Sequence, residues 1–352
     1  MKTRLLPTAL AAALLGTGAA QAGTVIYNTG NPATAQVALG VNDEASLNTL
    51  PDITANANRT GLAYKFPDGS WRDATAPGCF CEGWGVSVLT STIPAVAHSM
   101  YSNVSVGGIN NNITVGALSN VTSSTVTTTS TMTSLPGLVV THAFAPADNA
   151  PDRLFKVVVT IRNETPFDLR DVKYVRVLDW DVPPTEFREF VTIQGVTTTT
   201  LLERSHNNGF VSANPLLTTN ALTPSTLNSD FTDLGASDHG AYFRFNFGTL
   251  AAADDPTTQD KDEREARFTI FYGAAANESL ALAAIAAEGI ELYSLGQSNL
   301  NGRANNDGVT FIFGFKGVGG RPVIPPEPVP APATLALLGL GLLGLAYTRR
   351  RA

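Results

Sequence analysis

The feature that most restricts the fold is a two-residue period in the hydrophobic pattern of the second half of the chain. Between residues 154 and 162, Phe155, Val157, Val159 and Ile161 fall on one face of a strand, and the polar residues Lys156, Thr160 and Arg162 fall on the other. Successive side chains of a β-strand point to opposite sides of a sheet, so this alternation predicts a strand with one buried face. Large side chains show the same period in three further segments: Phe243/Phe245/Phe247, Phe268/Ile270/Tyr272 and Phe311/Phe313/Phe315.

Short strands and a single helix account for most of the remaining patterns. Turn residues bound further strand candidates at 24–27, 36–41, 61–66 and 126–133. The strand 154–162 is followed by turn residues and a second strand, 171–180, which predicts an antiparallel hairpin. Asn277 can cap a helix over residues 278–288 that Gly289 ends. These elements predict a mainly β protein of the antiparallel β-sandwich type with one short helix.

The N-terminal 22 residues have the layout of a secretory signal peptide. Lys2 and Arg4 give a positive start, an apolar stretch follows, and Ala20 and Ala22 form a small-x-small cleavage site. We therefore expect a signal peptide at residues 1–22, handled by the Sec export machinery. The mature chain would then begin at Gly23.

The C-terminal end carries three features in a fixed order. The sequence Pro326-Glu327-Pro328 is followed by an apolar run from Leu335 to Tyr347, and the run by the basic residues Arg349, Arg350 and Arg351. The prolines keep the chain extended, the apolar run can enter a bilayer, and the arginines hold the end on the cytoplasmic side. This tail, residues 326–352, resembles the PEP-CTERM sorting signal of exported proteins.

The resemblance implies a destination and several partners. Such signals are recognised and processed by an exosortase in Gram-negative bacteria that export exopolysaccharide. Residues 333–348 would form a helix of about 24 Å against a hydrocarbon core of about 30 Å. Such a hydrophobic sorting helix suits transient insertion and removal, while a single-pass inner-membrane anchor is the alternative. We expect an exported protein of the cell envelope, the cell surface or the extracellular space.

One exported β-rich domain is predicted between the two terminal segments. It covers residues 23–320, as a single unit or as two halves at about 23–135 and 136–320. A Pro-rich spacer at residues 321–332 follows it and overlaps the sorting signal. The domain also resembles uncharacterised β domains of other PEP-CTERM proteins, through residues 77–85 and 179–185. That resemblance implies no activity.

Composition restricts the class of partner. Only 15% of residues are charged and the net charge is −7, with no basic stripe along the sequence. A protein that neutralises nucleic-acid phosphates needs such a stripe, so we expect no nucleic acid partner. Exopolysaccharide or another cell-surface polymer fits the threonine-rich strands better.

The two cysteines, Cys79 and Cys81, are a disulfide candidate because the chain is exported. Residues i and i+2 of a straight strand lie about 6.5 to 7 Å apart, so a bridge between them needs a bent backbone. Two thiolates without a third Cys or a nearby His leave a metal site incomplete. Pairing between molecules remains an alternative.

A second candidate site is the acidic segment that ends the strand 171–180. Asp179 and Asp181 point to the same side and could bind Ca²⁺ together with Glu186. They could also serve as a carboxylate pair for glycoside hydrolysis, with Trp180 or Trp84 stacking on a sugar ring. The third interpretation is that both aspartates hydrogen-bond the backbone before the Pro183-Pro184 turn.

The sequence contains no complete catalytic constellation that we could identify. The four histidines, His98, His142, His206 and His239, form neither a helical pair nor a triad motif. We therefore predict no catalytic residues and no cofactor other than Ca²⁺. The favoured function is structural or adhesive, within an exopolysaccharide or biofilm layer. The rival is a carbohydrate-binding or carbohydrate-active protein that uses Trp180 and the Asp179/Asp181 pair.

Overall fold

The computed structural model describes residues 23–324, apart from Phe80 and the segments 104–109 and 254–260. In this part the chain is mainly β, every strand pairing is antiparallel, and one α-helix is present, as the sequence predicts. The signal-peptide and sorting segments lie outside the described residues. With them lie the predicted processing residues Ala20, Ala22, Pro326, Glu327, Pro328, Arg349, Arg350 and Arg351.

Twenty strands follow one another along the described part of the chain. In the first half they are β1 (Thr24–Tyr27), β2 (Val37–Val41), β3 (Leu62–Lys65), β4 (Trp71–Asp73), β5 (Gly83–Thr90), β6 (Ala97–Asn103), β7 (Ile113–Val115), β8 (Val126–Met132), β9 (Leu135–Pro146) and β10 (Leu154–Asn163). In the second half they are β11 (Leu169–Trp180), β12 (Glu189–Gln194), β13 (Leu202–His206), β14 (Phe231–Ser237), β15 (His239–Asn246), β16 (Glu265–Ala275), β17 (Leu292–Gln297), β18 (Asn299–Leu300), β19 (Arg303–Ala304) and β20 (Thr310–Lys316).

These strands form two large sheets and two small ones. The nine-stranded sheet has the order β14-β12-β17-β20-β16-β10-β9-β8-β7, and the five-stranded sheet has the order β13-β15-β11-β5-β6. A four-stranded sheet runs in chain order from β1 to β4, and β18 pairs with β19. Many neighbours are distant in sequence, so the sheets are built from non-local pairings.

Aromatic side chains of the two large sheets pack against each other. The rings of Phe243 in β15 and Phe315 in β20 lie 5.2 Å apart, and those of Tyr174 in β11 and Phe268 in β16 lie 4.9 Å apart. The inward residues of all three predicted aromatic triplets belong to this core, although Phe247 is only partly buried. One cluster of buried side chains includes residues from Ile26 to Val318. The alternation in the sequence therefore gives the inner faces of the sheets.

The predicted hairpin between 154–162 and 171–180 is wrong. Both segments are strands, but β10 pairs with β9 and β16 in the nine-stranded sheet, whereas β11 pairs with β5 and β15 in the five-stranded sheet. Where the chain leaves β10, the Asn163 amide donates hydrogen bonds to the carbonyl oxygens of Leu250 and Ala251. Alternation specifies which face of a strand is buried, but it does not specify the neighbouring strand.

The predicted helix is present with the predicted ends. Helix α1 spans Glu278–Glu288, and the Asn277 side chain accepts a hydrogen bond from the backbone N–H of Leu280 at 2.9 Å. Gly289 ends it in the left-handed conformation at φ 66°. Among the described residues we find no helix with the length and apolar character needed to cross a membrane.

Candidate acidic site at the end of a central strand

The acidic segment lies at the end of β11, the central strand of the five-stranded sheet. Tyr174, Arg176, Leu178 and Trp180 alternate with residues on the other side of the strand. Trp180 points towards the nine-stranded sheet, because its indole Nε1 donates to Ser294 Oγ of β17 at 3.0 Å. Asp179 and Asp181 consequently belong to the outer face of the five-stranded sheet.

Neither tryptophan proposed as a sugar platform is accessible. Trp180 has 0% exposed surface, and its ring lies 6.4 Å from that of Phe311. Trp84 is also 0% exposed, and its indole donates to the carbonyl oxygen of Glu44. A sugar ring needs an open aromatic face, so the interpretation of Trp180 and Trp84 as carbohydrate-stacking residues is wrong. Their bulk fills the space between the sheets instead.

Pairing in the sheet brings distant residues to Asp179 and Asp181. On one side β15 runs antiparallel to β11, with Trp180 opposite His239. Continuing this register by one residue places Asp238 across from Asp181. One ligand oxygen each from Asp179, Asp181 and Asp238 lie within 4.8 Å of one another. Local sequence patterns do not indicate Asp238, because it lies 57 positions after Asp181 in the chain.

The two cysteines lie on the other side of β11. Strand β5 places Gly83 opposite Val177, and continuing this register brings Cys81 across from Asp179. Cys79 and Cys81 form a disulfide, with their Cα atoms 5.3 Å apart, which is shorter than the spacing on a straight strand. Cys79 Sγ lies 3.5 Å from Asp179 Oδ2. A disulfide sulfur carries no proton, so this contact does not neutralise the carboxylate.

Glu186 occupies a different position from the one expected of a third ligand. It is half-buried, and its Oε1 accepts a hydrogen bond from Asn56 Nδ2 at 2.8 Å. The third carboxylate close to Asp179 and Asp181 is that of Asp238 instead. Glu189, at the start of β12, is a further buried acid that sequence reasoning missed. Its Oε1 accepts the backbone N–H of His239 at 3.0 Å.

Several oxygens of this cluster are buried without a hydrogen-bond donor in the described part of the chain. Asp179 is 1% exposed and Asp181 0% exposed. Both carboxylate oxygens of Asp181, Oδ1 of Asp179 and Oε2 of Glu189 have no hydrogen-bond partner. The expectation that both aspartates hydrogen-bond the backbone before the proline turn therefore fails for Asp181.

The neighbouring Asp73 shows how this fold ordinarily satisfies a buried carboxylate. It is also 0% exposed, but it accepts hydrogen bonds from three backbone N–H groups, those of Gly61, Thr75 and Ala76, at 2.6 to 2.8 Å. A buried carboxylate without donors is costly, so the contrast with Asp181 is chemically significant.

Burial makes the acidic cluster resist ionisation. Burial, followed by the charges of Asp179 and Asp238, raises the pKa of the Asp181 carboxyl to about 9. Burial, then Asp238 and Glu189, raises the pKa of Asp179 well above its ordinary value. Burial also raises the pKa of Glu189 to about 9, although the N–H of His239 acts in the opposite direction. These raised pKa values favour protonated carboxyl groups in the cluster, unless a bound cation compensates the negative charge of the carboxylates.

The histidines are held in separate places. His142 Nε2 lies 3.0 Å from the Tyr174 hydroxyl between the two large sheets. His206 Nε2 lies 2.8 Å from Thr219 Oγ1, and His98 Nδ1 lies 3.0 Å from Ser134 Oγ. His239 is buried next to Asp238 in sequence, and burial lowers its pKa to about 4. His98, His142 and His206 therefore each contact a hydroxyl group.

Comparison with known proteins identifies the C-terminal tail. Residues 328–351 match the model of the PEP-CTERM protein-sorting motif. The match confirms the resemblance drawn from Pro328, the apolar run and the basic end, and it supports export to the cell envelope or surface with sorting by an exosortase. No curated protein matches the chain.

Proposed function

We propose that this protein is a cell-surface or extracellular-matrix protein that contributes structure or adhesion to an exopolysaccharide or biofilm layer. In this proposal the Sec machinery exports the chain by a signal peptide at residues 1–22. The tail at 326–352 is inserted transiently into the inner membrane of a Gram-negative host, and the exosortase removes it. The released product is the β-sandwich domain at 23–320, followed by the part of the spacer at 321–332 that precedes the cleavage point.

The observation that carries this proposal is the sorting-motif match at residues 328–351. A chain that carries this signal is directed to the envelope whatever its domain does there, so the signal specifies where the domain works. The arginines at the end cannot cross the hydrocarbon core easily, and they oppose complete translocation of an intact tail. Removal of the tail explains how a chain with such an end could reach the surface.

A structural or adhesive role is supported by the polar face of the outer strands of the nine-stranded sheet. In β8, Thr127, Thr129 and Thr131 are partly exposed, while the alternate residues of the strand are buried. Thr114 of the neighbouring edge strand β7 is exposed and shares a hydrogen bond with Thr133. Rows of neutral hydroxyls can exchange hydrogen bonds with sugar hydroxyls without requiring a charged polymer.

The sorting step is tested by mass spectrometry of the mature protein from its native host. We expect an N-terminus at Gly23 and a C-terminus that lacks Arg349, Arg350 and Arg351. In a strain without exosortase the arginines should be retained and the protein should remain in the inner membrane. An intact C-terminus in the wild-type strain would overturn the proposal.

The polymer contact is tested with matched variants of the β8 face. Replacement of Thr127, Thr129 and Thr131 by Val preserves β-branching but removes the hydroxyls, so retention of the protein on the host's extracted exopolysaccharide should fall. Replacement of the same three residues by Ser keeps the hydroxyls and should retain binding. Equal binding by the two variants would contradict a role of this face in adhesion.

A further inference from the structure

The acidic cluster of β11 has the geometry of a cation site. The three ligand oxygens from Asp179, Asp181 and Asp238 lie within 4.8 Å of one another. A Ca²⁺ ion lies about 2.3–2.6 Å from its oxygen ligands, so one ion can contact oxygens up to about 5 Å apart. The sheet register determines this arrangement, because Asp179 lies in β11, Asp181 directly follows that strand, and Asp238 lies between β14 and β15.

A second observation points to a ligand at this place. Asp181 has 0% exposed surface, and neither of its carboxylate oxygens has a hydrogen-bond partner. The charges that act on it come from Asp179, Asp238, Asp73 and Glu186, all of them acids. Buried charges in proteins are usually paired or coordinate metals, and the nearby Asp73 obtains four hydrogen bonds instead. Asp181 has oxygens available for an ion.

We propose that Asp179, Asp181 and Asp238 bind one hard divalent cation, with Ca²⁺ as the preferred ion. Three carboxylates supply the oxygen ligands that Ca²⁺ favours, and backbone oxygens or water would complete its coordination. Mg²⁺ requires shorter, near-octahedral contacts, so it should bind more weakly. This proposal rests on the domain alone and does not depend on processing of the tail.

The site has a route to solvent and a rigid base. Asp238 is exposed, whereas Asp179 and Asp181 are buried, so an ion can enter at Asp238. A side chain at Gly240 would place its Cβ 2.7 Å from Asp179 Cα, so the chains approach too closely there for any larger residue. Asp179 therefore lies in a closely paired part of β11, and Asp181 directly follows that strand, which favours a preorganised site.

The disulfide between Cys79 and Cys81 argues against a metal site with cysteine thiolate ligands. Cys79, Cys81 and Asp179 form a second group of potential ligands within 4.8 Å, but only reduced cysteines could supply thiolates to it. In the oxidised protein the sulfurs offer no charge, so the carboxylates remain the donors for a hard ion. We expect Ca²⁺ binding without reductant.

Trp180 makes binding directly observable. It lies between the two aspartates in the chain, so Tb³⁺ bound in place of Ca²⁺ would receive energy from its excited indole. The experiment uses the full chain, purified in mild detergent and stripped of metal with a chelator. We expect Tb³⁺ luminescence on tryptophan excitation, its displacement by millimolar Ca²⁺ and much weaker displacement by Mg²⁺.

Three variants assign the signal to the site. Asp181→Asn should abolish it, and Asp238→Asn, which changes an exposed residue and should leave the fold intact, should weaken Ca²⁺ binding at least about tenfold. Asp148→Asn is the matched control, because Asp148 is an exposed partner of Lys156. Ca²⁺ should also raise the melting temperature of the wild type and the control, but not that of Asp181→Asn.

Three results would overturn the proposal. One is the absence of saturable Ca²⁺ binding by the metal-free, oxidised chain at millimolar concentration. Another is binding by Asp238→Asn and Asp181→Asn that equals binding by the wild type. The third is binding that appears only after reduction and prefers Zn²⁺, which would assign the metal to the cysteines. None of these results would affect the sorting function of the tail.

Discussion

Arg176 and Glu82 form a salt bridge in which neither side chain has any exposed surface. Arg176 Nε donates to Glu82 Oε1, which also accepts the Tyr272 hydroxyl at 2.9 Å. The second Glu82 oxygen accepts the backbone N–H of Leu47 at 2.8 Å, and Arg176 donates to the Ala45 carbonyl at 2.9 Å. The pair therefore connects both large sheets and the segment before β3. Both the guanidinium of Arg176 and the carboxylate of Glu82 make further hydrogen bonds.

A single substitution in this pair should be strongly destabilising. Glu82→Gln leaves the Arg176 guanidinium buried without an opposite charge, and Arg176→Met leaves the carboxylate in the same state. We expect each to lower the free energy of unfolding by about 3–5 kcal/mol, as measured by urea titration. The double variant should cost less than the sum of the two, because no charge remains unpaired. Single losses below about 1 kcal/mol would mean that the pair behaves like a surface ion pair.

Acid should destabilise the protein through its buried histidines. Burial, then the charges of Arg204 and Arg244, lowers the pKa of His206 to about 3. The ordinary pKa of histidine is 6.5, so below this pH the unfolded chain binds a proton at His206 that the folded chain does not bind. The folded state is therefore destabilised as pH falls from 6.5 to about 3. This contribution is fully present above pH 6.5.

The variant His206→Asn tests this contribution. An amide can still accept the N–H of Asn208 and face Thr219, but it does not titrate. In the variant, one proton fewer is taken up on unfolding in the acid range. We therefore expect the slope of the unfolding free energy against pH to decrease by about 1.4 kcal/mol per pH unit. An unchanged slope would show that other groups, such as His142 and His239, dominate the acid response.

Removal of the disulfide should have a small effect on stability. The bond between Cys79 and Cys81 closes a ring of only three residues, and chain-entropy arguments give such a ring at most about 2 kcal/mol. Replacement of both cysteines by Ala should therefore lower the unfolding free energy by no more than this amount. Intact-mass analysis with and without reductant verifies the bond in the wild type. A much larger loss would indicate that the disulfide supports the neighbouring acidic cluster.

The N-cap of the helix should contribute measurably. The Asn277 side chain accepts the Leu280 N–H, so Asn277→Ala leaves a helix-terminal donor unsatisfied and should cost about 1 kcal/mol in urea unfolding. Asn277→Asp retains an acceptor at the positive end of the helix and is the matched control. Equal losses in the two variants would show that the cap does not determine the stability of α1.

The local elements of this protein follow from its sequence to a large extent. The strand over Leu154–Asn163, the helix over Glu278–Glu288 with its caps, and the burial of Phe243, Phe268 and Phe311 could be predicted, because the side-chain period and capping chemistry act over a few residues. The sorting motif could also be predicted from the sequence, because the order of prolines, apolar run and arginines along the chain defines it.

Only the tertiary structure determined which strands are neighbours, and the acidic site depends on that choice. The period of two residues identifies the buried face of β11, which begins at Leu169, but its partners β5 and β15 begin at Gly83 and His239. The register of these strands brings Asp238 close to Asp181, so the third acid of the cluster is Asp238 and not Glu186. Trp180 consequently lies inside the core. Strand pairing depends on the packing of the whole chain, so local sequence patterns do not contain this information.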